Sequence, residues 1–357
     1  MITFNPGPSQ ISDNVKEYIL DFIKYDIGSL SHRSTQFTDI SLWAREGLRK
    51  FLGVPENYKI FYLSSATEGM EVMLKSFVVE HSHHYINGSF SKKCYKVAKE
   101  IGKKPTKEEV PLWKGNFSLE VPEGTELICV THNETSTGVQ VLPDFIPNLR
   151  RRYPTTLIGV DITSSWGWII HEITQADIWF FSVQKCFWLP AGLGIIIVNE
   201  KALEKSKIVV EQTWTIGSIH SLPNMLDKYE KAQTDETPNV FLIYLFSRQL
   251  EYLNNLGMQK IEESTLKKYQ FIQQKVLSIP WLFLFVEDDE YASRTVFVIS
   301  CSAEFQEKMK QALKAESIFL GSGYGELKDT TFRIANFPSI SFWDLEKTFS
   351  IIEKLFV

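Results

Sequence analysis

No apolar stretch in this 357-residue chain approaches the length that crosses a bilayer. The longest, VFLIYLF at 240–246, falls far short of the roughly 20 residues a membrane helix needs. Cysteine is scarce: Cys94, Cys129, Cys186 and Cys301 stand apart with no CxxC pair. That argues against a zinc ribbon or dithiol redox motif and fits a reducing compartment. Glycine and proline number only 19 and 14, which excludes collagenous and low-complexity chains. Nor does one sign of charge dominate, since 38 Lys and Arg stand against 43 Asp and Glu. No polyanion-binding surface, and so no nucleic-acid partner, is expected. The opening MITFNPGPSQ has no basic stretch followed by an apolar core, so no signal peptide, a cytoplasmic chain and no membrane partner are expected.

What is present is an ordinary globular composition, 44% apolar, with 25 Phe, 13 Tyr and 9 Trp. Length alone suggests two or three domains, and a core of this size needs no covalent staples. Along the chain, short apolar runs alternate with helical patterns. Helices are expected over 13–25 and 38–52, and SSATEG (64–69) turns into another that runs to residue 80. KIFYL (59–63), ELICVTH (126–132), TLIGVD (156–161), IWFFSV (178–183) and GIIIVNE (194–200) read as buried strands. This alternation predicts an α/β domain with a mainly parallel central sheet. Beyond about residue 255 the texture changes. An amphipathic helix over 257–279 precedes the strand candidates WLFLFVEDD, SRTVFVISC, SIFLGSGYG and TTFRIANFP, with a helix over 302–316 among them. A smaller α+β domain is expected there, and a long helix joining two lobes would explain the missing linker. The expected division is 14–250 and 251–357, with residues 1–13 packed against the second.

Asp161 ends one apolar strand and Lys185 follows another. Ligands in open α/β sheets sit outside the carboxyl ends of strands, so both side chains face one crevice. A lysine and a carboxylate there suit pyridoxal phosphate: the amine bonds the aldehyde and the carboxylate keeps the ring nitrogen protonated. An interstrand ion pair would also place them so. SSATEG, between a strand and a helix, offers hydroxyls and N–H groups to a phosphate, though Ser and Thr also serve as plain helix caps.

An ordered set of motifs then carries a resemblance across nearly the whole chain: FNPGPS (4–9), SHRS (31–34), SSATEG (64–69), NGSFS (87–91), HNETSTG (132–138), VDITSS (160–165), SVQKCFWLPAGLG (182–194), ETPN (236–239) and FRIANFP (332–338). It resembles the class V aminotransferases of the fold-type I pyridoxal phosphate enzymes, and within them the phosphoserine aminotransferase family. The resemblance implies Lys185 as the Schiff-base lysine, Asp161 at the pyridine nitrogen, and Gln184, Ala66 and Thr67 around the cofactor phosphate. It implies Thr135 near the phenolic oxygen, Phe90 stacked on the ring, and Thr237 reaching the phosphate across a homodimer interface with shared active sites. Arg333 corresponds to the arginine that grips the substrate α-carboxylate, where a bidentate fork favours Arg over Lys. His32 and Arg33 correspond to a pair that binds the phosphate of phosphoserine. The activity implied is ping-pong transamination from glutamate to 3-phosphohydroxypyruvate in serine biosynthesis.

Three positions depart from that pattern. Thr67 stands where an Arg is common, Glu326 where a substrate-phosphate His falls by ungapped counting, and Glu236 where an Asn is usual. Such losses weaken a dianion pocket unless Lys328 or a rearranged loop compensates. A class V aminotransferase for another small oxo acid, of the alanine- or serine-glyoxylate type, is therefore the alternative. A desulfurase-like lyase needs a mobile thiol near the substrate, and neither Cys301 nor Cys186 suggests one. A non-catalytic binding module sits poorly with an intact Lys185, Asp161 and Arg333. HSHH (81–84) offers three imidazoles, but no adjacent Cys or carboxylate set completes a tetrahedral site. A polar strand edge or loop is expected there, and no metal. His132 and His220 read as hydrogen-bonded structural residues, and GSGYG (321–325) as a flexible loop beside Arg333.

Overall fold

The computed structural model describes residues 1–166, 172–213, 217 and 219–355; the last two residues of the expected second domain lie outside them. Two sheets organise the chain. The strands are β1 (Ile2–Phe4), β2 (Tyr58–Leu63), β3 (Ser82–Ile86), β4 (Thr106–Glu109), β5 (Leu127–Thr131), the short hairpin β6 (Asn133–Glu134) and β7 (Val139–Gln140), β8 (Leu157–Asp161), β9 (Ile178–Ser182), β10 (Gly194–Asn199), β11 (Phe283–Leu284), β12 (Val296–Ser300), β13 (Ile318–Ser322) and β14 (Thr331–Ala335). The helices are α1 (Asp13–Lys24), α2 (Thr35–Leu52), α3 (Ala66–Phe77), α4 (Ser89–Glu100), α5 (Phe145–Arg152), α6 (Glu200–Thr213), α7 (Leu222–Tyr229), α8 (Val240–Leu256), α9 (Met258–Ser278), α10 (Ala303–Ala315) and α11 (Phe342–Lys354).

The large sheet runs β2-β10-β9-β8-β5-β3-β4. From β9 to β4 every pairing is parallel, and only β10 runs antiparallel to its neighbours. This is the α/β architecture with a mainly parallel sheet that the alternating runs predicted. Strands β5, β8 and β9 are buried at every position, as expected when helices cover both faces. One face packs on a core that includes Phe37, Leu48 and Phe246 from α2 and α8. The other packs on Met70, Met73 and Phe77 of α3 with Leu203 of α6.

The second sheet runs β1-β13-β14-β12-β11 and shares its core with α9, α10 and α11 through Ile272, Met309 and Phe349. Its first strand comes from the N-terminus, where Ile2 to Phe4 pair in parallel with Ile318 to Leu320. The expected strand at WLFLFVEDD shrinks to Phe283–Leu284, paired with β12. The helical stretch near residue 250 also differs from a single connector. Residue 250 lies inside α8, and the helix direction breaks at Gly257, whose φ of 85° ends one helix and opens the next. GSGYG is partly strand, because Gly321 and Ser322 pair with Arg333 and Phe332. No described helix is long and apolar enough to cross a membrane.

Candidate active site

The carboxyl ends of β8 and β9 bring Asp161 and Lys185 to one pocket, lined also by Ala66, Thr67, Phe90, Thr135, Gln184 and the Ser182 side chain. Each reaches it by a local device. The Ser65 hydroxyl caps α3 by accepting from the Glu68 N–H at 3.2 Å. The Ala66 N–H donates to Ser182 Oγ at 2.5 Å, which ties the helix start to the end of β9. The first turn of α3 thus faces the pocket with the positive end of its dipole. Phe90 sits in the first turn of α4, and that turn is held by Glu134. The buried Glu134 carboxylate accepts from the N–H groups of Phe90 and Ser91 at 3.0 and 2.9 Å. Gly88 makes this approach possible, since a Cβ there would lie 2.3 Å from Glu134 Cγ.

Lys185 Nζ donates to Thr135 Oγ1 at 2.6 Å and lies 4.7 Å from the centre of the Phe90 ring. Burial pulls the Lys185 amine below its usual range, opposed by the Asp161 carboxylate. Burial pushes Asp161 up to about 6, against the lowering effect of Thr163, whose N–H and hydroxyl donate to Oδ1 at 2.9 and 2.5 Å. A buried carboxylate shifted this way gains most from a cationic partner placed beside it.

Arg333 enters from β14 of the second sheet. Its Nε donates to the Ser322 carbonyl at 2.7 Å and a terminal nitrogen donates to the Thr135 carbonyl at 3.0 Å. Burial lowers it to about 10, so it stays cationic at neutral pH. Tyr324 connects the two sheets at this point. Its ring stacks on Phe90 with centroids 5.2 Å apart and lies 5.4 Å from the Arg333 guanidinium carbon.

Arg333 does not itself line that pocket and meets it through Thr135; His32, Arg33 and Thr237 are not among its lining residues either. Arg33 is instead bonded within its own chain, donating to Gln233 Oε1 at 2.9 Å and to the carbonyls of Thr234 and Asp235 at 2.8 and 3.3 Å. These contacts set it beside the segment that carries the exposed Thr237. His220 joins the same segment to α3. Its Nδ1 donates to Glu68 Oε1 and its Nε2 faces Glu236 Oε2 at 3.4 Å. Both carboxylates, Glu236 first, hold His220 up at about 9.

Sequence reasoning missed several of these groups. Glu134 lies in the quoted HNETSTG motif, but its link to α4 spans more than forty residues. Ser9 falls in the quoted FNPGPS motif and in the N-terminal segment expected to pack on the second lobe, but neither assigns it a role. It is also pinned to the lysine loop, where its N–H donates to the Gln184 carbonyl at 2.8 Å and its hydroxyl to the Lys185 carbonyl at 3.0 Å. The HSHH expectation needs correction. His83 and His84 are buried on β3, an interior strand between β5 and β4, and His83 Nδ1 meets Thr106 Oγ1 at 2.8 Å. Cysteines distant in sequence do approach His84 there. Neither thiol weighed for a lyase is activated: burial raises Cys186 and pushes Cys301 up to about 11.

The aminotransferase class-V family model matches residues 2–327. The chain belongs to the class V aminotransferases. It is similar along its length to the phosphoserine aminotransferase of Rhodococcus opacus strain B4, with 29% identity covering 94% of this chain and 90% of the relative. A solved structure of a phosphoserine aminotransferase from Cytophaga hutchinsonii superposes with a TM-score of 0.96. It shares 36% identity over 99% of this chain and 98% of that one. An aspartate aminotransferase structure from Thermus thermophilus, at 20% identity and a TM-score of 0.83, shares the fold.

The family makes this chain a pyridoxal phosphate-dependent transaminase, and the pocket has the donors such a cofactor requires. A buried primary amine, a buried carboxylate with a raised pKa, a helix N-terminus and the Thr67 and Thr135 hydroxyls converge on it. In the class V aminotransferase, amino and oxo acids are the substrates.

Proposed function

We propose that the chain transfers an amino group from glutamate to 3-phosphohydroxypyruvate, releasing 2-oxoglutarate and then phosphoserine. The observation that carries this reading is the full-length likeness to the Cytophaga phosphoserine aminotransferase at 36% identity. Lys185 Nζ would hold the cofactor's aldehyde carbon, and the same amine would move the proton from the substrate Cα. Asp161 keeps a proton on the cofactor's ring nitrogen, and the bound cofactor supplies the electron sink. Ala66, Thr67 and Gln184 take its phosphate, Thr135 orients the amine, and Phe90 covers the ring. Arg333 grips the α-carboxylate of donor and acceptor in turn.

His32, Arg33 and Thr237 complete the site from a second copy of the chain, in a homodimer. The support is that none of the three lines the Lys185 pocket, and that Arg33 is bonded to residues 233–235, next to Thr237. On this reading 14–250 forms the cofactor lobe, and 251–357 with residues 1–13 forms the lobe that supplies Arg333. The enzyme works in the cytoplasm, in serine biosynthesis.

A second acceptor class is favoured by one feature. Glu326 lines a cavity of about 320 Å³ beside Tyr324, which Lys92, Glu109 and Trp113 also line. A carboxylate there disfavours a dianion and tolerates a smaller oxo acid. Ranking kcat/KM with glutamate against 3-phosphohydroxypyruvate, pyruvate and glyoxylate separates the two. A preference for the phosphorylated acceptor that Arg33→Ala removes supports the first reading, and a preference for pyruvate or glyoxylate replaces it with the second.

A further inference from the structure

Beneath the cofactor pocket, three soft ligands meet in the protein interior. His84 on β3 stands in register with Cys129 on β5, so the pleat sends both side chains to one face of the sheet. Cys94, on α4, packs onto that face. One ring nitrogen of His84 and the two thiol sulfurs all lie within 4.8 Å of one another, and the three residues are 1%, 5% and 4% exposed. In a tetrahedral zinc site, ligand atoms stand about 3.5–3.8 Å apart, so modest side-chain movement closes the cluster on an ion.

The cavity between them is about 10 Å³, room for one small ion or water and for no organic ligand. Met73 forms another wall. Its thioether packs against Gly159, where a Cβ would lie 2.3 Å from the sulfur, so β8 is stripped of a side chain where Met73 must fit. The imidazole is oriented for ligation. Nε2 meets Ser82 Oγ at 2.9 Å, while the buried Nδ1 bonds no oxygen or nitrogen and the Cys94 thiol interacts with the ring. Metal-bound histidines commonly donate their other N–H to a neighbouring oxygen, which fixes the tautomer, and Ser82 provides that acceptor.

We infer that His84, Cys94 and Cys129 form a buried binding site for a single thiophilic divalent cation of the zinc class. Two thiolates and a neutral imidazole exactly balance a divalent charge, which removes the main cost of burying an ion. Soft sulfur donors select such cations over magnesium or calcium. The ion ties β3 and β5 to α4, whose first turn presents Phe90, and it takes no part in the transamination itself.

Cadmium reports thiolate ligation directly through its charge-transfer absorbance. The holoenzyme carrying Cys301→Ser, which removes the half-exposed competing thiol, is reduced, freed of metal with chelator and titrated with Cd²⁺. One equivalent per chain should bind with the absorbance of two thiolates, and Zn²⁺ should displace it. Adding Cys129→Ser should weaken binding about a hundredfold, and Zn²⁺ should raise the unfolding temperature of the parent protein but not of that variant. Absence of the charge-transfer band at stoichiometric Cd²⁺ overturns the site. So does binding unaffected by Cys129→Ser, or a chain isolated with Cys94 and Cys129 already joined and two hydrogens lighter. The titration of the parent protein stands alone should the Cys129 variant fail to fold.

Discussion

Lys185 Nζ donates a 2.6 Å hydrogen bond to the Thr135 hydroxyl, and the backbone carbonyl of the same threonine accepts from Arg333. Thr135→Val keeps the shape and the backbone contact but removes the acceptor from a buried amine. Losing one hydrogen bond to a charged group costs about 1.5–3 kcal/mol, so kcat should fall roughly 10- to 100-fold. The KM for glutamate should hold within about threefold, because Arg333 is still tied through the backbone. Lys185→Ala should remove turnover by at least about 10³-fold and leave no cofactor fixed to the chain by borohydride. Cofactor fixed at another lysine would remove Lys185 from its role.

Arg333 is addressed by Arg333→Lys. Two of its donors are already committed to the Ser322 and Thr135 carbonyls, and a lysine cannot hold both while offering a fork to a carboxylate. The expected result is a KM for glutamate and for the oxo acid raised about 10- to 100-fold, with a smaller loss in kcat. A variant with unchanged KM for both substrates would show that the carboxylate is gripped elsewhere.

The parts of this site legible in the sequence are those where chemistry and local pattern coincide. Asp161 and Lys185 follow unbroken apolar runs, so their positions at strand ends could be read from β8 and β9 alone. Ala66 and Thr67 follow a strand and open a helix, which is a local signal. What stayed hidden depends on pairing between distant segments. Glu134 shapes the site only because it caps α4, and Cys129 meets His84 only through the register of β3 with β5. Arg33 and Thr237 were recognisable by resemblance, while their place outside the Lys185 pocket follows from bonds to residues 233–235, some two hundred positions from Arg33. The single strand expected over WLFLFVEDD failed for another reason: at the edge of the second sheet an apolar run can leave the ladder after two residues, and Phe283 is 59% exposed.

His220 gives the site a pH-dependent brace. Glu236 and Glu68 raise its pKa from 6.5 to about 9. Burial of Glu68 is outweighed by hydrogen bonds from His220 and Ser64, which hold it at about 2. The stability contributed through His220 is therefore complete below pH 6.5 and is lost as pH rises through 9, while the Glu68 part is lost as pH falls from 4.5 toward 2. His220→Gln should cost about 1–3 kcal/mol at pH 6, the range for removing one member of a half-buried charged pair. Urea unfolding of both proteins between pH 6 and 10 checks this. The difference should shrink steadily above pH 6.5 and largely vanish past 9, and a constant difference would assign His220 a packing role.

Glu326 decides how the pocket treats a doubly charged acceptor. It shares the cavity beside Tyr324 with Lys92 and Glu109, so a phosphate entering there meets two carboxylates and one ammonium, and that ammonium already pairs with Glu109 at 3.5 Å. Like charges about 4 Å apart in water repel by about 1 kcal/mol; Glu326 is exposed, and Glu326→Gln removes that repulsion without changing size. The variant should therefore raise kcat/KM for 3-phosphohydroxypyruvate about three- to tenfold, mainly through KM, and leave pyruvate and glyoxylate within about twofold. The gain should shrink at high salt, because exposed charges are screened within about 10 Å at 0.1 M. Equal gains for phosphorylated and unphosphorylated acceptors would mean that Glu326 acts by steric closure of the loop, and no gain at all would place the acceptor's phosphate away from this cavity.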